Sequence, residues 1–331
     1  AASPQIEFTK VSPYGKENGQ ARGRVSGVVF SEYKVAGYVE VDDALWTKPC
    51  LKAPLTDISD DGTFRFDFTT GGCDAYAFRV LAFLVPADID QEKIKCAPCC
   101  ITYLVDEAVA MTSFDRFPKP RIIQFMGSDW IVKRRDCPAG PGNNLFSDDP
   151  SRVWVDRTGL HLTIAKGKKG RWYATEVILN QSFGYGIYRI VTNSRVDLFN
   201  ENVVGGLFLW DTQACGFHNR EIDILEFARW GKPANPTNAQ NVVQPCSECP
   251  GCGDNCHRFQ VDLARKDQLL THFLIWTPGK TEFKTYRGNL DHLPLPSNGD
   301  QINSWVYEGP YMPEPGKENV RFNLCLLVGN P

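Results

Sequence analysis

The sequence predicts an all-β protein. Short runs rich in β-branched and aromatic residues recur in the first part of the chain, at residues 25–30, 37–41, 63–68 and 76–85. Turn signals separate these runs, namely Asp60-Asp61-Gly62 and Gly71-Gly72. Few stretches show the apolar period of a helix, and strands continue at short spacing from residue 121 onward. These three observations favour packed β-sheets.

Two domains are expected in a chain of 331 residues. Residues 1–117 have the pattern of a β-sandwich of immunoglobulin-like or similar type, which we interpret as an accessory module. Phe117-Pro118-Lys119-Pro120 is interpreted as the linker, because its two prolines stop both helix and sheet. Residues 118–331 then form the second, larger domain.

Composition and charge argue against several classes of function. The formal net charge is −3, which argues against nucleic-acid binding, and no Lys/Arg cluster changes that interpretation. No apolar run approaches the roughly 18 residues that a membrane span needs. The chain opens Ala1-Ala2-Ser3, which suits a mature end after removal of a signal peptide and equally suits a trimmed chain. With 12 cysteines, we expect an oxidising compartment and therefore an extracellular, secreted protein.

The candidate chemistry lies in residues 219–227, Asn-Arg-Glu-Ile-Asp-Ile-Leu-Glu-Phe, whose composition favours a strand. Because side chains alternate between the faces of a strand, Glu221 and Asp223 point the same way. Glu226 is five positions from Glu221 and would point the opposite way. One extra residue at Ile224-Leu225, accommodated as a β-bulge, returns Glu226 to the face of the other two acids.

Three carboxylates on one face repel one another, which raises the proton affinity of at least one of them. Hydrolysis of a glycosidic bond needs one ionised carboxylate and one carboxylic acid on either side of the bond, and this arrangement supplies both. Two other interpretations are open at this point. The face is either simply solvated or binds calcium.

The pattern Glu221-x-Asp223-x-x-Glu226 resembles the catalytic signature of glycoside hydrolase family sixteen, which includes laminarinases, lichenases, agarases and carrageenases. The resemblance covers about residues 121–331, where the flanking segments follow the family's order. It implies a β-jelly roll, a concanavalin-like sandwich of two antiparallel sheets with a sugar-binding groove. It also implies a retaining mechanism in which Glu221 is the nucleophile, Glu226 is the general acid and then the base, and Asp223 tunes both.

The flanking segments supply the substrate contacts that the resemblance implies. A loop rich in glycine and asparagine at residues 140–146 is similar to the loop that lines the sugar cleft in the family. Residues 174–178 and 240–244 resemble strands that present a glutamate and amides to the sugar, and an apolar strand ends in an aromatic residue that is either a sugar platform or a core residue. The expected substrate-binding residues are Asn144, Phe146, Glu176, Trp210 and Gln240.

Two positions depart from the family's pattern. Ile178 stands where lichenases carry an arginine, which puts lichenase-type sugar contacts in doubt. Cys325 stands where the family often has a tryptophan, and the loss of that ring is expected to weaken sugar stacking.

Four closely spaced cysteines, Cys246, Cys249, Cys252 and Cys256, have the spacing of an iron–sulfur run and, with His257, resemble a zinc knuckle. Ferredoxin runs continue with proline, whereas this one continues with histidine, and the chain has the composition of a secreted protein. We therefore expect disulfides in this loop, with a bound metal and free thiols as the alternatives. In the first module, Cys50 and Cys73 are candidates for a pair.

The sequence therefore predicts a secreted, retaining endo-β-glycanase that cleaves a polysaccharide, with no required cofactor and with a structural calcium ion as an option. The alternative is a non-catalytic extracellular protein, structural, adhesive or glycan-binding, built on the same jelly roll. The extra module, the many cysteines and Cys325 fit that alternative, whereas an intact acid triad argues against it. The sugar, the linkage and the oligomeric state do not follow from the sequence.

Overall fold

The protein is described from a computed structural model. The structure describes residues 3–41, 44–95, 106–117, 119–167, 170–246, 255–263, 268–293 and 300–330. Contacts divide the chain into an N-terminal unit, residues 1–119 with 135–137, and a C-terminal unit, residues 120–134 with 138–331. None of the helices in the described ranges is long and apolar enough to cross a bilayer.

The N-terminal unit contains a three-stranded and a five-stranded antiparallel sheet. The three-stranded sheet has the order β1-β2-β6, and the other has the order β4-β3-β7-β8 with β5 paired to β3. The strands are β1 (Gln5–Val11), β2 (Gln20–Ser26), β3 (Tyr33–Val41), β4 (Ala44–Lys48), β5 (Leu55–Thr56), β6 (Thr63–Asp67), β7 (Arg79–Pro86) and β8 (Ala110–Asp115). Short helices lie at Phe30–Glu32, Asp74–Tyr76 and, as α1, Gln91–Ile94.

The alternation of apolar and polar residues explains the packing of this unit. In β6, Phe64 and Phe66 are buried, whereas Arg65 between them is exposed. Both rings pack in a core with buried residues of β3 such as Val35 and Val39. The two sheets thus form the smaller β-sandwich that the sequence predicts.

A disulfide joins Cys73 to Cys137, with 6.0 Å between the Cα atoms. The expected pairing of Cys50 with Cys73 is therefore wrong, and Cys50 is a free, exposed thiol in the described part of the chain. Cys50 lies in a tight turn, where it forms an isolated bridge with Ala53. A partner 64 positions along the chain could not be chosen from spacing alone.

The C-terminal unit contains an eight-stranded sheet, in the order β22-β21-β20-β19-β26-β17-β10-β9, and a four-stranded sheet, in the order β18-β23-β24-β25. Three two-stranded ribbons, β11-β12, β13-β14 and β15-β16, complete the described strands of the second half. The strands are β9 (Arg121–Phe125), β10 (Ser128–Val132), β11 (Arg135–Ala139), β12 (Asn144–Phe146), β13 (Val153–Asp156), β14 (Gly159–Leu162), β15 (Ala165–Lys166), β16 (Trp172–Tyr173), β17 (Thr175–Leu179), β18 (Gly186–Asn193), β19 (Val203–Trp210), β20 (Ile222–Ala228), β21 (Ala239–Val243), β22 (Cys256–Phe259), β23 (Leu269–Thr277), β24 (Lys280–Arg287), β25 (Gln301–Tyr307) and β26 (Asn319–Leu326). Short 3-10 helices lie at Val196–Leu198 and Cys215–Arg220.

The main core of this unit lies between the two large sheets. Leu209 and Ile222 from the eight-stranded sheet pack in one cluster with Leu274, Trp276 and Phe283 from the four-stranded sheet. We call this side of the eight-stranded sheet the inner face and the opposite side the outer face. The all-β class and the jelly-roll sandwich predicted from the sequence are confirmed.

Candidate active site

An extra residue in β20 brings two of the three acids onto one face. Asp223 lies opposite Val242 of β21, and Glu226 lies opposite Gln240, so three steps along β20 match two steps along β21. The pairing with β19 on the other side shows the same offset. The bulge therefore lies at Ile224-Leu225, the position that the sequence predicts.

This face is the outer face of the eight-stranded sheet. Asp223 pairs with Phe208 of β19 and Glu226 pairs with Gly206, and residues two apart on one strand share a face. Ile222, which alternates with Asp223, is in the inner core. Asp223 is only 8% exposed, and Glu226 is half-buried. The carboxylates thus lie away from the apolar core but largely out of water.

An unusual turn leads into the third acid, Glu221. His218, Asn219 and Arg220 have φ angles of 51°, 55° and 50°, three successive non-glycine residues in the left-handed region. Each such residue costs on the order of 1–2 kcal/mol. Asn219 offsets part of this cost, because its Nδ2 donates to the Asp211 carbonyl at 3.1 Å and its own carbonyl accepts from the Asp211 N–H at 2.7 Å. The turn places half-buried Glu221 directly before β20. Glu221 is two positions from Asp223 and therefore lies on the same side of the extended chain.

Two glutamines of the neighbouring strand segment each donate to one acid. Gln240 Nε2 donates to Glu226 Oε2 at 2.6 Å, and Gln244 Nε2 donates to Asp223 Oδ2 at 3.1 Å. The oxygen of each amide is also occupied. Gln240 Oε1 accepts from Arg258 Nε at 3.1 Å, and Gln244 Oε1 accepts from the Cys246 N–H at 2.7 Å.

Burial raises the pKa of all three acids. The pKa of Glu221 lies well above its ordinary value because of burial first and then the repulsion of Asp223 and Glu226, against which Arg321 acts. Burial and then the charge of Glu226 raise the pKa of Asp223 to about 8, against the hydrogen bond from Gln244. Burial also raises the pKa of Glu226, against the hydrogen bond from Gln240 and the charge of Arg258. The cluster therefore retains at least one proton near neutral pH.

A buried ion-pair cluster lies on the same outer face. Glu176 is 1% exposed and binds Lys133 Nζ at 3.0 Å and Arg321 Nη1 at 3.4 Å. Arg321 also donates to Thr212 Oγ1 at 2.8 Å, and its guanidinium lies 5.8 Å from the centroid of the Trp210 ring. Through Arg321, this cluster joins the surroundings of Glu221 to the half-buried Trp210.

Of the five expected substrate-binding residues, four are buried, namely Asn144, Phe146, Glu176 and Gln240. Asn144 Nδ2 donates to the carbonyls of Pro141 and Leu326 at 2.7 and 2.6 Å, and its Oδ1 accepts from the Leu326 N–H at 3.1 Å. Phe146 is 1% exposed and carries Lys133 Nζ over its ring at 4.2 Å. These contacts give Asn144, Phe146 and Glu176 a role in holding the site together, whereas Trp210 and Gln240 lie beside the acids.

Four further residues belong to the site and were not in the predicted set, Lys133, Gln244, Arg258 and Arg321. Gln244 had a sequence signal, because it is four residues from Gln240 and therefore on the same face of an extended segment. The other three had none. Lys133 and Arg321 reach the site through pairings between strands that are distant in sequence, such as that of β17 with β26, whereas Arg258 reaches it by pairing with Gln240 of the preceding strand.

Two exposed aromatic rings border the turn before Glu221. Phe217 is 67% exposed and Tyr311 is 44% exposed, and the Tyr311 ring lies 6.0 Å edge-on from that of His218. Arg220 lies 5.1 Å from the centroid of the Phe217 ring. Exposed aromatic faces suit the C–H faces of sugar rings.

The cysteine loop is partly described. Cys246 and Cys256 form a disulfide, one of the local pairs expected from the sequence, and Cys249 and Cys252 lie outside the described residues. Within the described ranges, no three or more His, Cys, Asp or Glu side chains are arranged to hold a metal ion. Cys325 is a buried free thiol whose pKa is raised to about 12, chiefly by burial.

Comparisons with known proteins find a likeness in structure alone. No family model and no curated protein matches the chain. A β-1,3-glucanase from Mycobacterium marinum aligns with 60% of this chain and 79% of its own, at 19% identity and a TM-score of 0.38. An immunostimulatory antigen and pseudo-β-1,3-glucanase of Mycobacterium tuberculosis aligns with 59% of this chain and 79% of its own, at 16% identity and a TM-score of 0.40. A family 16 glycosyl hydrolase from Mycobacterium smegmatis gives 13% identity, 59% and 80% coverage, and a TM-score of 0.38. At these values the likeness carries no functional argument, so function has to be argued from the site itself.

Proposed function

We propose that this protein is a secreted, retaining endo-β-glycanase that cleaves a polysaccharide by double displacement. The observation that carries the proposal is the bulge at Ile224-Leu225, which gathers Asp223 and Glu226 on one sheet face beside Glu221. Crowded, half-buried acids are costly to a scaffold, whereas hydrolysis of a glycosidic bond requires them. The disulfides Cys73–Cys137 and Cys246–Cys256 support an oxidising, extracellular location.

The reaction would proceed in two steps. In the first, the Glu221 carboxylate bonds to the anomeric carbon while Glu226 gives its proton to the departing glycosidic oxygen, so the C–O bond breaks and a glycosyl-enzyme ester forms. In the second, the ionised Glu226 removes a proton from water, and the resulting hydroxide attacks the same carbon and frees Glu221.

The surroundings of the acids fit these roles in part and oppose them in part. Arg321 lowers the pKa of Glu221, as a nucleophile needs, but burial and two neighbouring carboxylates act more strongly in the opposite direction. We therefore expect the acid limb of the pH–rate profile to lie above the ordinary range of a glutamate. Asp223, whose pKa is raised to about 8, would act as the carboxyl that shares its proton with its neighbours.

One observation favours the non-catalytic alternative, a glycan-binding or structural protein. Asn144, Phe146 and Glu176 are buried, and the polar atoms of Asn144 and Glu176 are bonded within the protein. Fewer of the expected residues are thus free to bind sugar. Exposed rings such as Phe217 and Tyr311 provide stacking surface for either function.

The first prediction tests the enzyme against this alternative. Wild-type protein is incubated with a panel of β-glucans and galactans, and the products are separated by chromatography. Glu221→Gln should lose activity by more than about 10³-fold, since it removes the nucleophile and keeps the side-chain shape. Glu282→Gln on β24, a matched substitution of a glutamate bonded to Lys280 and Lys284, should retain full activity.

Glu226→Gln should lose much less activity on an aryl glycoside with a good leaving group than on polysaccharide, because that group departs without protonation. Azide should then restore turnover to Glu226→Ala by attacking the glycosyl-enzyme without base assistance. Binding of glycans with no cleavage anywhere in the panel would establish the alternative. Equal cleavage by wild type and Glu221→Gln would overturn the assignment of the nucleophile.

A further inference from the structure

Gln240 bridges Glu226 and Arg258. Its Nε2 donates to Glu226 Oε2 at 2.6 Å, and its Oε1 accepts from Arg258 Nε at 3.1 Å. Gln240 is only 7% exposed, whereas Arg258 is exposed on the edge strand β22. The exposed Arg258 guanidinium is thus linked to the half-buried Glu226 carboxyl group through the buried amide of Gln240.

The chemistry of arginine fixes the orientation of that amide. A guanidinium group has N–H donors and no acceptor, so it can bond only to the oxygen of the Gln240 amide. The NH₂ group must then face Glu226. Because Glu226 Oε2 accepts this hydrogen bond, Oε1 is left as the oxygen that carries the proton when Glu226 is an acid.

Trp230 holds Arg258 in the position this requires. The guanidinium carbon lies 4.2 Å from the centroid of the Trp230 ring, a favourable cation–π distance. Trp230 and Gly231 have φ angles of 47° and 72°, so the backbone turns sharply where β20 ends. An exposed arginine would otherwise sample many rotamers, and this contact reduces that freedom.

We propose that Arg258 is a positioning residue that acts through Gln240 to keep the NH₂ group of that amide on Glu226 and the acid proton on Oε1. The assignment of a role in turnover rests on the proposed function. The orientation of the amide does not, since it follows from the hydrogen bonds alone.

Other charged and titratable groups act on Glu226 and stay the same in every variant below. They are Glu221 and Asp223 from its own segment and Cys325 from β26, and Arg321 and Glu176 act in turn on Glu221. Their effects are common to all variants, so a difference between variants reports on the Arg258–Gln240 pair.

The variants separate the donor from the rest of the side chain. Arg258→Met removes the donor and keeps an unbranched apolar side chain, so the amide can rotate and offer its oxygen to a protonated Glu226. Arg258→Lys keeps a donor that has no acceptor and should preserve the orientation. Arg22→Met is the matched control, since Arg22 Nη2 donates to Gln20 Oε1 at 3.3 Å at an exposed position of β2, a strand that holds none of the three acids.

The experiment is a pH titration by NMR of protein labelled with ¹³C at the glutamate carboxyl groups. The Glu226 signal is identified by its absence in Glu226→Gln. Arg258→Met should raise the pKa of Glu226 by about one unit, a tenfold change in the acid dissociation constant. Arg258→Lys should shift it by less than about a third of that, and Arg22→Met should leave it unchanged.

Two outcomes would overturn the proposal. One is an unchanged Glu226 pKa in a folded Arg258→Met protein, with folding checked by circular dichroism. The other is a shift that disappears between about 0.05 and 0.5 M salt, since screening removes the effect of an exposed charge but not that of a buried amide. If Arg258→Met does not fold, Gln240→Leu, which removes the amide, is titrated instead and should also raise the pKa.

Activity measurements then distinguish the positioning role of Arg258 from the proposed glycanase function. In an active enzyme, Arg258→Met should move the alkaline limb of kcat/KM upward by the same amount as the NMR titration, and Arg258→Lys should restore it. A shift of the Glu226 pKa in a protein that cleaves no glycan would support the positioning role of Arg258 and contradict the proposed glycanase function. Cleavage of glycan without such a shift would contradict the positioning role and support the glycanase function.

Discussion

The two faces of the eight-stranded sheet are both largely buried, but only the outer face also buries charged groups. On the inner face, Leu209, Ile222 and Val177 pack in an apolar core against the second sheet. On the outer face of the same strands, Asp223, Glu176 and Arg321 are 8%, 1% and 4% exposed. Along these strands, apolar residues of the inner face therefore alternate with charged residues of the outer face, and both sets are buried.

This difference shows which face is costly to maintain. Apolar burial stabilises the fold in proportion to the area removed from water. Buried charge costs free energy unless each group has a partner, and the outer face meets this cost with specific bonds such as those from Lys133 and Arg321 to Glu176. Burial raises the pKa of all three acids on this face, so keeping them ionised there costs further free energy.

The largest effect on stability should come from breaking a pair on the outer face. Lys133→Met leaves Glu176 buried with one cation instead of two, and removing one partner of a buried pair typically costs about 3–5 kcal/mol. Urea unfolding followed by tryptophan fluorescence measures the loss. The double variant Lys133→Met/Glu176→Gln, which removes the uncompensated charge and leaves Arg321 an amide oxygen as acceptor, should recover part of the loss, and a double variant as unstable as the single one would contradict the ion-pair account.

A cavity on the inner face should lower the free energy of unfolding somewhat less and should leave the activity unchanged. Leu209→Ala removes a fully buried side chain from the core and should cost about 2–5 kcal/mol. Below its melting temperature, the folded variant should keep the wild-type kcat and pH profile. A shifted pH profile would contradict this expectation, because it would show that packing on the inner face affects the acids on the outer face.

The smallest effect should be a gain in stability from Asp223→Asn. The pKa of Asp223 in the folded protein, about 8, is above its value in the unfolded chain. The native state thus binds this proton more tightly, so wild-type stability should be fully present below about pH 4 and should fall as pH rises toward 8. Asp223→Asn removes this group's share of that fall and should be more stable than wild type at pH 8, while the weaker hydrogen bond from Gln244 to a neutral amide keeps the net gain small.

This gain is measured as a difference in urea midpoint at pH 4 and pH 8. The two proteins should be nearly equal at pH 4. A variant less stable than wild type at both values would mean that Asp223 is stabilised by its bond from Gln244 more than it is destabilised by its neighbours.

The sequence predicted the parts of the site that depend on one strand. The bulge at Ile224-Leu225 follows from the spacing of Glu221, Asp223 and Glu226 within six residues. Alternation along the strand also separates Ile222 from the acids.

The partners of the acids could not be predicted in the same way. Asn144 bonds to Leu326, 182 positions away, and Arg321 bonds to Glu176, 145 positions away. Such contacts depend on which strands become neighbours, and the local pattern does not encode that order. Gln240 was likewise expected to contact sugar. Only the pairing of the strands shows that its amide lies between Glu226 and Arg258.

The turn His218–Asn219–Arg220 has a consequence for how the protein can change over generations. Three left-handed residues in a row are a position where glycine would relieve backbone strain, so a chain selected for stability alone would gain by acquiring one. Glycine would also loosen the segment that sets the position of Glu221 before the strand begins. If the position of that carboxylate matters, sequences that keep the function should retain side chains here and tolerate the lower stability, whereas lineages that have lost the function are free to drift toward glycine.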